Sequence, residues 1–100
     1  MSVKSRSCKL LPKARQDLEA IWRYTFETWS LQQANTYYSE LIGCFPELAA
    51  GTARGRKVSG IKPDYLALAC GSHFIIYKGD AQTLTIIRIL HRRMNIAAHL

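Results

Sequence analysis

The chain has 100 residues, 48% of them hydrophobic and 21% charged, which predicts one globular domain over residues 1–100 and excludes a disordered chain. Its longest apolar run, residues 65–70, is too short for a transmembrane helix. The basic start lacks the apolar stretch of a secretory signal, so we expect a cytoplasmic protein that does not associate with membranes.

The net charge of +7 is unevenly distributed along the chain. Residues 13–48 carry five acidic and three basic side chains, whereas residues 49–100 carry eight basic and two acidic ones. A basic surface attracts polyanions or an acidic protein partner, and the alternative is a solvent-exposed surface that is basic without a binding role.

The first predicted elements are a short strand and two helices. Residues 8–11 are predicted to form a strand that ends at Pro12, which is suited to the first turn of a helix. Ser30 and Gln33 have the spacing of a capping box, so the first helix should end near Thr28 and the second should begin at Leu31. Gly51 is a candidate C-cap of the second helix.

Both helices show apolar positions at helical spacing, and these predict an antiparallel helical hairpin with one core-facing stripe on each helix. The first stripe comprises Leu18, Ile21, Trp22, Thr25 and Trp29. The second comprises Ala34, Tyr38, Leu41, Ile42, Phe45 and Leu48.

The second half of the chain is predicted to be a basic loop followed by strands. Residues 51–63 are rich in glycine and basic side chains and are predicted to be a loop. Three β-rich segments separated by short turns follow, and the last, residues 84–90, is apolar enough to be buried on both faces. The order predicts an α+β fold of two layers: an N-terminal strand, an αα-hairpin, a three-stranded antiparallel meander and a short C-terminal tail.

The sequence shows no common signature of a metal, cofactor or nucleophilic site, so we expect no metal, no cofactor and no catalytic residues. The histidines and cysteines match no metal-ligand spacing, and the cysteines are expected to be small buried hydrophobes. A metal-independent ribonuclease would need a carboxylate base, and the basic half offers only two turn residues for that role. The residues concerned are Cys8, Cys44, Cys70, His73, His91, His99, Asp64 and Asp80.

Several segments resemble the ParE toxins of the RelE/ParE superfamily of bacterial toxin–antitoxin modules. The similar segments are residues 11–25, Trp29, the Gly-Ser-His-x-Ile-x-Tyr motif at residues 71–77 and the Arg-Ile-Leu-His-x-x-Met motif at residues 88–94. The resemblance runs from about residue 10 to the end of the chain, and the pair of motifs at this separation is its most specific part.

The resemblance implies a RelE-like fold and growth arrest by poisoning of DNA gyrase through binding rather than catalysis. A cognate ParD-like antitoxin would neutralise the toxin, and no direct sequence-specific nucleic-acid binding is expected. The candidate residues for the gyrase contact are the strand end and tail, Arg88, His91, Arg92, Arg93 and Met94, with help from the basic loop residues Arg54, Arg56 and Lys57.

Two alternatives remain open. RelE-type relatives cut messenger RNA on the ribosome with basic residues and a tyrosine or histidine near the end of the last strand, and His91 occupies that position here. A catalytic tyrosine is missing there, which speaks against a ribonuclease. The other alternative is a degenerate family member that binds its antitoxin without being toxic.

Overall fold

The structure is a computed structural model that describes residues 5–100. Two helices, α1 and α2, follow strand β1, and four further strands and a short 3-10 helix complete the chain. Their bounds are β1 Ser7–Leu10, α1 Pro12–Thr28, α2 Leu31–Ala50, β2 Arg56–Lys57, β3 Leu66–Cys70, β4 His73–Gly79, β5 Thr83–His91 and the 3-10 helix Ile96–His99.

The five strands form one sheet in the order β1-β5-β4-β3-β2. Strand β1 pairs with β5 in parallel, and all other neighbours are antiparallel. The register between β4 and β5 shifts after Ile76, which pairs with Arg88, because Tyr77 pairs with Ile86. Ile87 is therefore the extra residue of a β-bulge, a feature that bends a strand and is common beside functional sites.

Local sequence signals set the helix boundaries as predicted. Pro12 is the first residue of α1, and the Ser30 hydroxyl accepts a 3.0 Å hydrogen bond from the backbone N–H of Gln33 at the start of α2. Gly51 ends α2 with φ of 81°, a left-handed conformation that glycine adopts without a steric penalty. The predicted αα-hairpin is confirmed.

The sheet has a core on each face, as the apolar sequence of β5 predicted. On one face the helices pack against Leu84, Ile86 and Ile89 of β5. On the other face, Ile87 and Leu90 pack beneath the segment that contains Val58 and Tyr65 and beneath the C-terminal tail. The two-layer α+β prediction is confirmed. The segment that contains Val58 and Tyr65, together with the C-terminal tail, covers the sheet face that is opposite the helices.

Four details of the prediction are wrong. The basic loop contains strand β2, which pairs with β3 and gives the sheet a fifth strand. Trp29, expected to be a core or interface aromatic, is not part of the core-facing stripe of α1: it is 73% exposed because it lies at the C-cap, beyond the last helical turn. Tyr38 is exposed, and the adjacent Tyr37 is the residue that packs against the core. Cys8 is exposed on the edge strand β1 rather than buried.

Candidate functional site

An ion pair anchors the bulged segment of β5 to helix α1. Arg88 donates from Nε and Nη2 to the two carboxylate oxygens of Asp17, at 2.8 and 3.0 Å. The backbone N–H of Ile89 donates to the same carboxylate at 2.9 Å. Strand β1 pairs with β5 only as far as Ile86, so Asp17 takes over as the partner of the β5 backbone beyond that point.

Because of this ion pair, the Arg88 guanidinium stabilises the fold and is not available to contact a partner. Its side chain is 17% exposed, and its remaining Nη1 donates to the carbonyl of His99 at 2.8 Å, which ties the C-terminal tail to the strand. The ion pair with Asp17 raises the pKa of Arg88 further. Sequence reasoning missed Asp17 because it lies 71 residues away, in the acidic part of the chain.

A tyrosine and a histidine form a second cluster at the same end of the sheet. The Tyr37 hydroxyl accepts a 2.9 Å hydrogen bond from the Ser72 backbone N–H and is 2.6 Å from Nδ1 of His73. The direction of the Tyr37–His73 hydrogen bond depends on the histidine tautomer: when the Tyr37 hydroxyl donates to Nδ1, His73 carries its own proton on Nε2. Gly71 has φ of 59°, and a Cβ at this position would lie 2.7 Å from Cε1 of Tyr37.

The surroundings keep both partners of this cluster uncharged at neutral pH. Burial and, secondarily, the neighbouring His91 lower the pKa of His73 to about 4. Burial is also the main cause that raises the pKa of Tyr37. The rings of His73 and His91 meet edge to face, with centroids 5.2 Å apart, because the two residues pair directly across β4 and β5.

The last residue of β5 and the three exposed residues after it form a basic turn, residues 91–94. The backbone N–H of Arg93 donates to His91 Nδ1 at 3.1 Å, and the N–H of Met94 donates to the His91 carbonyl at 2.9 Å. The Arg92 N–H donates to the Ser72 carbonyl, and its guanidinium lies 5.6 Å from the centroid of the Phe74 ring. The side chains of Arg92, Arg93 and Met94 are exposed, so this turn presents free positive charge beside an apolar group.

A groove of about 670 Å³ lies between the two helices and the end of β5, beside the ion pair that joins α1 to β5. Its floor includes Asp17 and His73, and its rim includes three exposed apolar side chains. These are Tyr24, Trp29 and Met94, which are 67%, 73% and 45% exposed. Large apolar groups exposed together on a groove are typical of a protein-binding surface.

The structure does not bring the basic loop to this groove. Arg54 is exposed just before β2, and Arg56 and Lys57 form β2, at the opposite edge of the sheet from β1. Strands β3 and β4 lie between β2 and β5, so the two backbones are about 14 Å apart at the usual strand spacing. The predicted contact residues therefore form two separate basic patches. Arg88 belongs to neither, because it is held in the ion pair with Asp17.

The sequence matches the profile of a known protein family over most of its length. The profile of the family described as "ParE toxin of type II toxin-antitoxin system, parDE" matches residues 8–96. The chain belongs to the ParE toxin family. Toxin ParE1 of Mycobacterium tuberculosis is 36% identical over 92 residues, covering 91% of this chain and 94% of the relative. Toxin ParE1 of Caulobacter vibrioides is 34% identical, covering 92% and 95%.

Solved structures confirm the fold of this ParE family member. A chain of the chromosomal ParDE toxin–antitoxin system from P. aeruginosa superposes with a TM-score of 0.76 at 20% identity, covering 87% of this chain and 96% of that one. A chain of the toxin–antitoxin complex RelBE2 from Mycobacterium tuberculosis gives 0.61 at 16% identity, covering 90% and 94%. Within residues 5–100, neither helix is long and apolar enough to cross a membrane.

Proposed function

We propose that this ParE-type toxin acts in the cytoplasm by binding and poisoning DNA gyrase through the basic turn, residues 91–94. The observation that carries the proposal is the exposure of Arg92 and Arg93 next to Met94, which lines the apolar groove. A charged rim beside an apolar anchor is the usual composition of a protein-binding surface. The turn follows β5 directly, so it is held on a rigid strand.

The engagement of the neighbouring polar groups supports binding rather than catalysis. Asp17 accepts hydrogen bonds from Arg88 and from the Ile89 backbone, which occupies the nearest carboxylate. Tyr37 and His73 bond to each other. A general base and a transition-state cation must both be free to reach the substrate, and here these groups hold the fold.

The ribonuclease alternative rests on one observation, the contiguous row formed by Tyr37, His73 and His91. A tyrosine hydroxyl and two imidazole rings lie next to the exposed Arg92 and Arg93, and these residue types are the ones that an acid–base site uses. The loop cations that such a mechanism would recruit lie at the other edge of the sheet. Cleavage of ribosome-bound messenger RNA by the wild type, abolished in His91→Ala, would favour this alternative.

We further propose that a cognate antitoxin neutralises the protein by covering the apolar groove. The exposed Trp29 and Tyr24 are the groove's largest unpartnered apolar groups, and an acidic partner would complement the basic turn beside them. Trp29→Ala should weaken antitoxin binding at least about tenfold while leaving the melting temperature nearly unchanged. Tyr38→Ala, on a different surface of the hairpin, is the matched control and should retain the wild-type affinity.

Charge-matched variants of this protein, assayed for gyrase supercoiling and DNA cleavage, test whether the basic turn is the surface that binds gyrase. Arg92→Ala/Arg93→Ala should raise the concentration for half-maximal cleavage about tenfold or more. Arg15→Ala/Arg23→Ala removes the same charge from exposed positions on α1 and should change it little. Equal losses in both variants would mean that net charge, rather than the basic turn, determines binding.

A variant of the basic loop tests whether that patch contributes. Arg54→Ala/Arg56→Ala should have a smaller effect than the change in the basic turn because its residues lie at the other edge of the sheet. A wild-type protein that binds its antitoxin but neither poisons gyrase nor slows growth would instead support the degenerate alternative.

A further inference from the structure

Two cysteines that are distant in sequence meet where α2 packs against strand β3. Cys44 lies on α2 and Cys70 is the last residue of β3, and their Sγ atoms are 2.6 Å apart. Both are free thiols and both are half-buried. The third cysteine, Cys8, lies exposed on β1, so the pairing is specific to one contact between helix and sheet.

We propose that Cys44 and Cys70 are a modification site, at which a small-molecule disulfide such as oxidised glutathione converts the two thiols into an intramolecular disulfide. A sulfur–sulfur bond is about 2.05 Å long, so a small side-chain adjustment brings the two atoms into bonding distance. The loop that the bridge closes, residues 44–70, includes β2 and the whole basic loop.

The reaction proceeds by two thiol–disulfide exchanges. The Cys44 thiolate attacks one glutathione sulfur, the glutathione S–S bond breaks, and one glutathione leaves as a thiolate that takes up a proton. Cys70 then loses its proton, attacks the Cys44 sulfur and releases the second glutathione. The two protein thiols are oxidised to one disulfide, and the glutathione disulfide is reduced to two thiols.

The environment of Cys70 sets the order of these steps. Burial is the main cause that raises the pKa of Cys70 to about 12, and Cys44, Glu40 and Glu47 act in the same direction. Its thiolate is therefore scarce at neutral pH, which disfavours Cys70 as the first nucleophile and makes ring closure faster as the pH rises. The disulfide carries no charge, so the burial and the acidic neighbours that disfavour a thiolate do not disfavour the disulfide product.

The bridge would fasten α2 to the turn between β3 and β4. Gly71 and Ser72 follow Cys70 directly, and the Tyr37 hydroxyl already accepts a hydrogen bond from Ser72. A covalent link on α2, about two turns beyond Tyr37, would hold this part of the groove lining in place. Oxidation should therefore raise the melting temperature by about 15 °C, as expected for closing a loop of this length in a chain of this size.

The test uses the full chain with Cys8→Ser, which removes the exposed thiol. After treatment with oxidised glutathione, this protein should lose the mass of two hydrogen atoms, retain no titratable thiol and melt at the higher temperature. Dithiothreitol should reverse all three changes. Addition of glutathione to both cysteines, two thiols left unreacted, or a bridged protein without the increase in melting temperature would overturn the proposal.

Single-cysteine variants in the same background provide the matched controls. Cys70→Ser should trap one glutathione on Cys44, with no increase in melting temperature. Cys44→Ser should react slowly, because burial still raises the pKa of the remaining thiol, Cys70. If Cys44→Ser reacts faster than Cys70→Ser, the assigned order of attack is wrong. Alanine replacements repeat both controls should a serine variant fail to fold, and none of these measurements depends on gyrase.

Discussion

Removal of the Asp17 carboxylate tests whether the ion pair with Arg88 holds β5 against α1. Asp17→Ala deletes two charge-assisted hydrogen bonds to Arg88 and the bond from the Ile89 N–H. The two side chains are 17% and 15% exposed, so the variant leaves a mostly buried cation and a backbone donor without their partner. We expect a loss of about 3 kcal/mol in the free energy of unfolding, at the lower end for a buried pair.

Urea unfolding followed by circular dichroism measures this loss. For a domain of this size, about 3 kcal/mol lowers the denaturation midpoint by roughly 2 M and the melting temperature by about 12 °C or more. Glu19→Ala removes an exposed carboxylate from the same helix and should change the stability by no more than about 0.5 kcal/mol. The m-value should be the same in all variants, because the surface exposed on unfolding is unchanged.

A double-mutant cycle separates the ion pair from other effects of the substitution. Asp17→Asn and Arg88→Met, alone and together, should give a coupling energy of about 2 kcal/mol. A coupling below about 0.5 kcal/mol, or a cost of Asp17→Ala below about 1 kcal/mol, would show that the pair behaves like an exposed surface salt bridge. Arg88 would then be available as a free cation, contrary to its assignment here.

Three further predictions concern the tyrosine–histidine cluster. Because the folded pKa of His73 is about 4, below the value of about 6.5 in an unfolded chain, the unfolded state binds more protons and stability should fall as the pH drops from about 6.5 to 4. His73→Gln should flatten this dependence in urea titrations. Gly71→Ala should cost about 1–3 kcal/mol, whereas Gly43→Ala, with open space around its Cβ, should stabilise α2 by up to about 1 kcal/mol in the same melts. Tyr37→Phe should cost about 1–2 kcal/mol in urea unfolding, and an unchanged midpoint would mean that its two hydrogen bonds contribute nothing.

The parts of the fold that the sequence predicts are those encoded by neighbouring residues. The cap at Ser30, the left-handed Gly51 and the first-turn Pro12 each act within one helical turn, and each was predicted correctly. Strand β2 was missed because two residues carry no periodicity. It exists because β3 offers it an edge, and this information lies in the rest of the sheet.

The candidate site was less predictable because its contacts are long-range. Helical spacing indicates which residues share a broad face, but it does not distinguish Tyr37 from its neighbour Tyr38, and only Tyr37 faces His73. The Asp17–Arg88 pair and the Cys44–Cys70 contact join elements that are far apart in sequence. The motif at residues 88–94 supplied the candidate contact residues, and the structure shows that Arg88 is held in an ion pair whereas Arg92 and Arg93 are exposed.

Poisoning of gyrase through binding is tested most directly by incubating antitoxin-free protein with purified gyrase and supercoiled plasmid, and in parallel with ribosomes translating a defined messenger RNA. We expect linear, gyrase-linked DNA to accumulate while the messenger RNA remains intact. Normal gyrase turnover together with cleaved messenger RNA would contradict it and identify the protein as a ribonuclease.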